Sequence, residues 1–383
     1  MDQRASNPNY TRFLEQIAYW EDVTESNNSS PRSLWESGGS ELNAERGEAL
    51  IARAFSHFLL VNVFSKHYNT QTSAKDLGIP YVTKPETTLS PKYDRGNVAE
   101  VYEKINKDIE EALPLINDAT HDVPMYHFTK KSAYAFAARF NLYYEKWAKA
   151  KKYANFVLTE NPASVLRNWK ELGEVPKDIL PKSMAYINNQ SANLFSFTAS
   201  SVIGYVFGPW YRGSRFNHTG YLAKNETVFV KMPFTNSRKL SLSSYANRPW
   251  RQNMNNFDKT LFFKIPPLFE ITDAVQRTGF TKTVIVPFTT DETLLVRAEA
   301  EVMLGENEKA VADLNIWATN FFKDEVNTTV GEIDAFYNSV EYSSADAISA
   351  KKELNPKFSF VSKVQENFTM FCSVAEFSLY TRD

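Results

Sequence analysis

The sequence predicts a mainly α protein in which paired helices form a frame and a loop-rich segment with short strands is inserted between them. Three observations predict it. Apolar residues recur at three- and four-residue steps through 45–64, 98–116, 129–162 and 294–315. Alanines stand where the helices of a pair would cross. Between the pairs, from about 165 to 290, the apolar runs shorten while Asn, Ser and aromatic residues accumulate. The expected frame covers about 45–165 and 290–383, within one domain of 1–383.

The first element, "ERGEALIARAFSHFLLVNVF" at 45–64, is apolar almost all round, the mark of a helix buried among others. The loop after it ends in prolines and polar turn formers. "NVAEVYEKINKDIEEALPLI" then places Val98, Val101, Tyr102, Ile105, Ile109, Ala112, Leu113 and Ile116 on one face, leaving the other wet. The stretch 129–162 reads as two helices broken near Lys146. It aligns with the tetratricopeptide repeat pattern through Tyr134, Ala138, Ala150 and Pro162. Paired backbones approach closely only where side chains are small. "LLVRAEAEVMLGENEKAVADLN" at 294–315 repeats the arrangement, with Ala298 and Ala310 as crossing residues and Gly305 ending the first helix as a C-cap would. In the insert, "ETVFVK" and "TKTVIVPF" have the alternation and β-branching of short strands.

The bulk chemistry excludes several classes. The chain has 43 Lys+Arg against 45 Asp+Glu and a net charge of −2, without the basic excess that phosphate gathering requires, so no nucleic-acid partner is expected. A single cysteine, Cys372 in "TMFCSVAEF", rules out an intrachain disulfide and reads as core. The five histidines show no metal-ligand spacing, with His121 and His127 in one loop and no HExxH. No metal or cofactor is therefore expected. Nucleophile-elbow, phosphate-loop and dinucleotide fingerprints are missing. Acidic pairs such as Glu110–Glu111 read as solvated helix faces. Arg297 with Glu301, and Arg53 with Glu45 or Glu48, read as ion pairs or carbonyl contacts at helix junctions. No stretch approaches the roughly 20 apolar residues that span a bilayer.

Four stretches in order carry a resemblance: "GEALIARAFSHFLLVNVF" with Gly47, Glu48, Ala49, Arg53, Ala54 and Phe55; "DLGIPYV" at 76–82; "VAEVYEKINKDIEEALPLI"; and "LLVRAEAEVMLGENEKAVADLN" with Arg297, Ala298, Glu299 and Ala300. With the 129–162 pair between them, the chain resembles the SusD/RagB family of outer-membrane nutrient-binding lipoproteins. That resemblance implies an α/α superhelix of tetratricopeptide-like hairpins cradling a loop-rich half, and no catalysis. It implies capture of glycans at the cell surface and delivery to a SusC-like TonB-dependent transporter, with the hairpins facing that partner and the loops facing the ligand. A peptide-binding RagB-like member, or a tetratricopeptide-type protein-interaction scaffold, stands as the alternative. The resemblance also implies a lipid anchor outside this chain as the sole membrane attachment, and a further helix after "AEFSLYTRD".

Binding residues follow from chemistry and are not carried over from the family. Sugars present apolar C–H faces beside hydroxyls, so a binding surface combines stacking aromatics with planar amide or guanidinium groups. "PWYRGSRFNH" offers Trp210, Tyr211, Arg212 and Asn217, and "SYANRPWRQN" offers Tyr245, Asn247, Trp250 and Arg251. The Tyr68–Asn69 loop and Tyr81 are weaker candidates. The bland reading of the tryptophans is core packing beneath the insert.

Overall fold

The computed structural model describes residues 43–83, 92–176, 179–189, 191–200, 203–206, 233, 250–254, 257–261, 264–322, 326–344, 349, 351, 362–369 and 372. The chain divides into two compact units, Met1–Lys146 and Trp147–Asp383.

In the first unit, α1 (Asn43–Phe64) packs along α2 (Val98–Ala112), and α3 (Lys130–Tyr143) closes the unit. The face predicted for α2 is the one buried: Val98, Val101, Tyr102, Ile105 and Ile109 all lie in the core. Asn97 caps the helix, its side-chain oxygen accepting from the Glu100 amide at 2.9 Å. The next two amides are satisfied by the "DLGIPYV" region, Val98 N–H donating to the Asp76 carbonyl at 2.9 Å and Ala99 N–H to the Ser73 carbonyl at 3.1 Å. Gly78 permits this approach, because a Cβ there would stand 2.6 Å from the Asn97 carbonyl oxygen.

Contrary to the sequence expectation, α1 is long and apolar enough to cross a membrane by length and composition. Half of its apolar window is covered by protein instead. Phe55 and Phe58 meet Phe136 edge-on at 5.4 and 5.7 Å between ring centroids, and Tyr102 stacks on Phe140 at 5.5 Å. Part of the chain's high aromatic content, 14% of its residues, is thus core.

In the second unit, α4 (Trp147–Leu158) and α9 (Asn307–Phe321) both pack against α8 (Thr290–Met303). The alanines predicted at helix crossings are all fully buried, Ala150, Ala298 and Ala310 in this unit and Ala138 on α3 in the first. Gly305 has φ 78°, and the Glu306 and Gly305 amides donate back to the Glu301 and Val302 carbonyls at 2.8 and 2.9 Å, a Schellman end. α3 ends by the same pattern. Lys146 and Glu145 amides donate to the Asn141 and Leu142 carbonyls at 2.8 and 3.2 Å, with Glu145 itself at φ 58°. The kinship of the two turns read from sequence extends to their hydrogen bonds.

The predicted loop-rich segment begins with helices, α5 (Trp169–Glu174) and α6 (Ile179–Ile187), which the sequence reading did not anticipate. Asn168 starts α5 by accepting from the Glu171 amide at 3.1 Å, and Pro181 falls in the first turn of α6, where its missing N–H costs nothing. Then follow β1 (Asn193–Ala199), the short α7 (Ile203–Val206), β2 (Trp250–Met254), β3 (Phe257–Leu261), β4 (Leu268–Asp273) and β5 (Thr278–Thr289). β1, β5 and β4 form an antiparallel sheet with β5 central, and β2 pairs with β3 in a separate ribbon. "TKTVIVPF" lies within β5 as predicted, whereas "ETVFVK" lies outside the described residues. Pro287 is tolerated because register shifts by one between Phe195↔Phe288 and Phe197↔Ile285, a bulge beside a residue without an amide donor. Another helix, α10 (Val330–Ser339), opens with a Thr329–Glu332 capping box.

Candidate functional site

The insert leaves the frame through β1 and returns through β5, and β5 runs without a break into α8. Both ends are tied to one buried polar cluster. Arg167 is fully buried; its guanidinium lies 4.0 Å from the Tyr186 ring centroid, donates to the Tyr186 carbonyl at 3.1 Å, and donates to the Asn193 side-chain oxygen. Asn193, the first residue of β1, returns hydrogen bonds to the Tyr186 and Ile187 carbonyls at 2.9 and 3.0 Å. At the other end, the Asp291 carboxylate in the first turn of α8 accepts from Trp169 Nε1 at 2.8 Å and the Arg167 amide at 3.3 Å. Burial raises the Asp291 carboxyl above its ordinary range, against the Arg167 charge and these donors. A group so enclosed serves as a lock for the stem, because unpaired polar groups at this depth would be costly.

Of the residues predicted to meet ligand, Trp210, Tyr211, Arg212, Asn217, Tyr245 and Asn247 lie outside the described residues. Trp250 and Arg251 are adjacent at the start of β2, in register with Leu261 and Thr260 of β3. Both predicted clusters therefore fall on the segment between β1 and β4. The weaker candidates belong to the frame. Tyr81 donates to Asp108 at 2.6 Å and lies against the His57 ring at 4.0 Å. Tyr68 meets Tyr102 and Tyr144 at 4.9 and 4.8 Å, and Asn69 is buried with its amide donating to Ser73 Oγ at 2.7 Å. The Tyr68 and Tyr81 rings thus pack against other rings of the first unit.

The charged residues of the motifs are absorbed by helix junctions, with partners other than those expected. Arg297 pairs with Asp313 of α9 and donates to Asn155 of α4 at 3.0 Å. Glu301 instead meets Lys151 of α4 at 3.2 Å. Burial raises both carboxyls, Glu301 further through the neighbouring Asp313 charge. Arg53 likewise reaches Asp108 of α2 through two bonds of 2.7 and 2.8 Å. Glu110 is exposed as expected, while Glu111 pairs with Arg46. Cys372 is buried, as its apolar context predicted.

Sequence spacing missed one other constellation. Glu48 on α1 lies beside the His121–His127 loop, and ligand atoms of the three residues lie within 4.8 Å of one another. Glu48 and His127 are 79 positions apart, so no local motif could reveal them.

Known proteins match this fold and its first part. Residues 4–142 match the family model SusD-like_3, described as "Starch-binding associating with outer membrane". A SusD-like carbohydrate binding protein from Bacteroides vulgatus superposes with a TM-score of 0.54 at 17% identity, covering 86% of this chain and 64% of its own. A SusD superfamily protein from the same organism gives 0.58 at 17% identity over 96% of this chain and 73% of its own. One from Bacteroides thetaiotaomicron gives 0.53 at 19% identity over 96% and 74%. The chain is SusD-like in fold, and in sequence over residues 4–142. It spans under two thirds of the length of the B. vulgatus carbohydrate binding protein. No curated protein sequence is significantly similar to it.

Proposed function

We propose that this chain is a non-catalytic binding protein of the outer cell surface, which captures oligo- or polysaccharide and hands it to a SusC-like TonB-dependent transporter. The observation that carries the reading is the SusD-like fold together with a family match described as starch-binding and outer-membrane associating. The charge chemistry is consistent with binding without turnover: Asp108, Glu301 and Asp313 are each spent on an arginine or lysine at a helix junction. Ligand contact is assigned to the segment between β1 and β4, through Trp210, Tyr211, Arg212 and Asn217 and through Tyr245, Asn247, Trp250 and Arg251. Attachment to the membrane is assigned to a lipid anchor.

Affinity electrophoresis and calorimetry against a polysaccharide panel led by soluble starch test the reading. Retardation by at least one glycan, weakened by Trp210→Ala or Trp250→Ala and without release of reducing ends, is the expected result. Silence on every glycan together with binding of peptides would overturn it in favour of a peptide carrier. Co-purification with the transporter from outer membranes tests delivery, and loss of that complex on disrupting the insert alone would contradict assignment of the insert to ligand.

A further inference from the structure

We propose that Glu48, His121 and His127 form a site for a divalent transition metal of the zinc class. The three side chains come from two elements of the first unit, α1 and the loop between α2 and α3, and each is half-buried, open to solvent on one side. The loop is held in place without a metal. Lys130 N–H donates to Asp118 Oδ1 across its ends at 2.7 Å, and Tyr126 and His127 amides close a turn on the Val123 and Pro124 carbonyls at 3.0 and 3.1 Å.

Glu48 is fixed by the Phe128 amide, which donates to Oε1 at 3.1 Å, and the same carboxylate receives His127 Nδ1 at 3.0 Å. His127 Nδ1 and the Glu48 carboxylate face each other at 3.0 Å, so with the proton on Nε2 a cation takes the place between them that a shared proton otherwise fills. The His121 ring lies parallel to that of His127, with centroids 4.2 Å apart and planes 9° from each other. Two imidazoles and a carboxylate, with ligand atoms already within 4.8 Å, make the donor set that borderline cations prefer over calcium or magnesium, which take oxygen ligands. Closure on an ion asks a small movement: bonds of about 2.0–2.1 Å in a tetrahedron put neighbouring ligand atoms about 3.4 Å apart. Rings half-open to solvent can turn that far. Three protein ligands leave a fourth position for water or an oxygen of a bound molecule.

Calorimetry with zinc chloride on the tag-free, chelator-treated full chain is the test. One zinc per chain is expected, with His121→Ala, His127→Ala and Glu48→Gln, which keeps an acceptor for the Phe128 amide, each weakening binding by about tenfold or more. Unchanged circular dichroism and Tm of the metal-free variants keep the comparison valid. In the unmutated chain, zinc should shift the ring NMR signals of His121 and His127 and leave those of His57, His67 and His218 in place, an arm that needs no variant. Absence of zinc binding, undiminished binding in both histidine variants, or calcium preferred at these residues would each overturn the assignment.

Discussion

Arg297 grips Asp313 across the α8–α9 junction through two hydrogen bonds of 2.7 Å, one from Nε and one from Nη2. Both side chains are almost wholly enclosed, at 11% and 8% exposure. Arg53 and Asp108 repeat the geometry across α1 and α2. Planar two-point pairing fixes the rotation of one helix against the next in a way that a lysine cannot. Removing the guanidinium leaves Asp313 uncompensated beside the Glu301 carboxyl. Arg297→Met is therefore expected to cost about 3–5 kcal/mol in urea unfolding, and Arg297→Met with Asp313→Leu to recover most of it. Additive single effects in this double-mutant cycle would show that the pair is not coupled.

His57 makes stability depend on pH. Its Nδ1 donates to the Arg53 carbonyl at 2.9 Å and its Nε2 accepts the Val82 amide at 3.0 Å, so the folded protein holds the neutral ring. Burial brings its pKa down to about 4, with the Arg53 and Lys104 charges adding to the shift and the Arg53 carbonyl and Asp108 opposing it. The unfolded chain takes up the proton first, near its ordinary value of 6.5. Stability is therefore full above that pH and falls by up to about 1.4 kcal/mol per unit on the way down to the folded value. Urea midpoints of the protein and of His57→Gln at pH 7 and 5 check this; the loss on acidification should be smaller in the variant.

Glu145 occupies the left-handed conformation that Gly305 takes at the equivalent turn. For a residue with a Cβ this conformation costs about 1–2 kcal/mol, and a glycine recovers part of it while adding entropy to the unfolded chain. Glu145 also accepts a hydrogen bond from Thr70 at 2.6 Å in an exposed position, which offsets some of the gain. Glu145→Gly is expected to stabilise by about 0.5 kcal/mol. A lowered Tm would show that the Thr70 bond outweighs the backbone strain.

Helix contact at alanine can be tested within one helix. Ala310 is fully buried on α9, whereas Ala312 faces solvent. Ala310→Leu is expected to cost about 1–3 kcal/mol by overpacking, and Ala312→Leu to stay within about 0.5 kcal/mol of the parent. Equal effects in thermal unfolding would remove the crossing from Ala310.

The frame was legible because its signals are local. The α2 face from Val98 to Ile109 and the small residues Ala138, Ala150, Ala298 and Ala310 can be read from spacing alone. The polar partners were not legible. Arg297 was expected to meet Glu301 one turn away, yet it spans to Asp313, and Glu301 turns to Lys151, because facing helices offer a planar match that one helix surface lacks. The stem lock joins Arg167 to Asp291, and the Glu48 cluster joins α1 to a distant loop; neither has a linear motif. The short α5 and α6 were missed because each is too brief to establish a period. The candidate ligand residues rest on composition alone, since stacking rings beside amides mark a chemistry without fixing a geometry.

The strands β1 and β5 lie side by side, with Ala199 opposite Thr283 and Asn193 opposite Thr289. Their outer ends are thereby brought together beside the Arg167–Asp291 cluster, with Asn193 opening β1 and Thr289 closing β5. Because paired strands hold their ends together whatever the length of chain between them, insertion beyond Ala199 leaves the junction of β5 with the first turn of α8 where it stands.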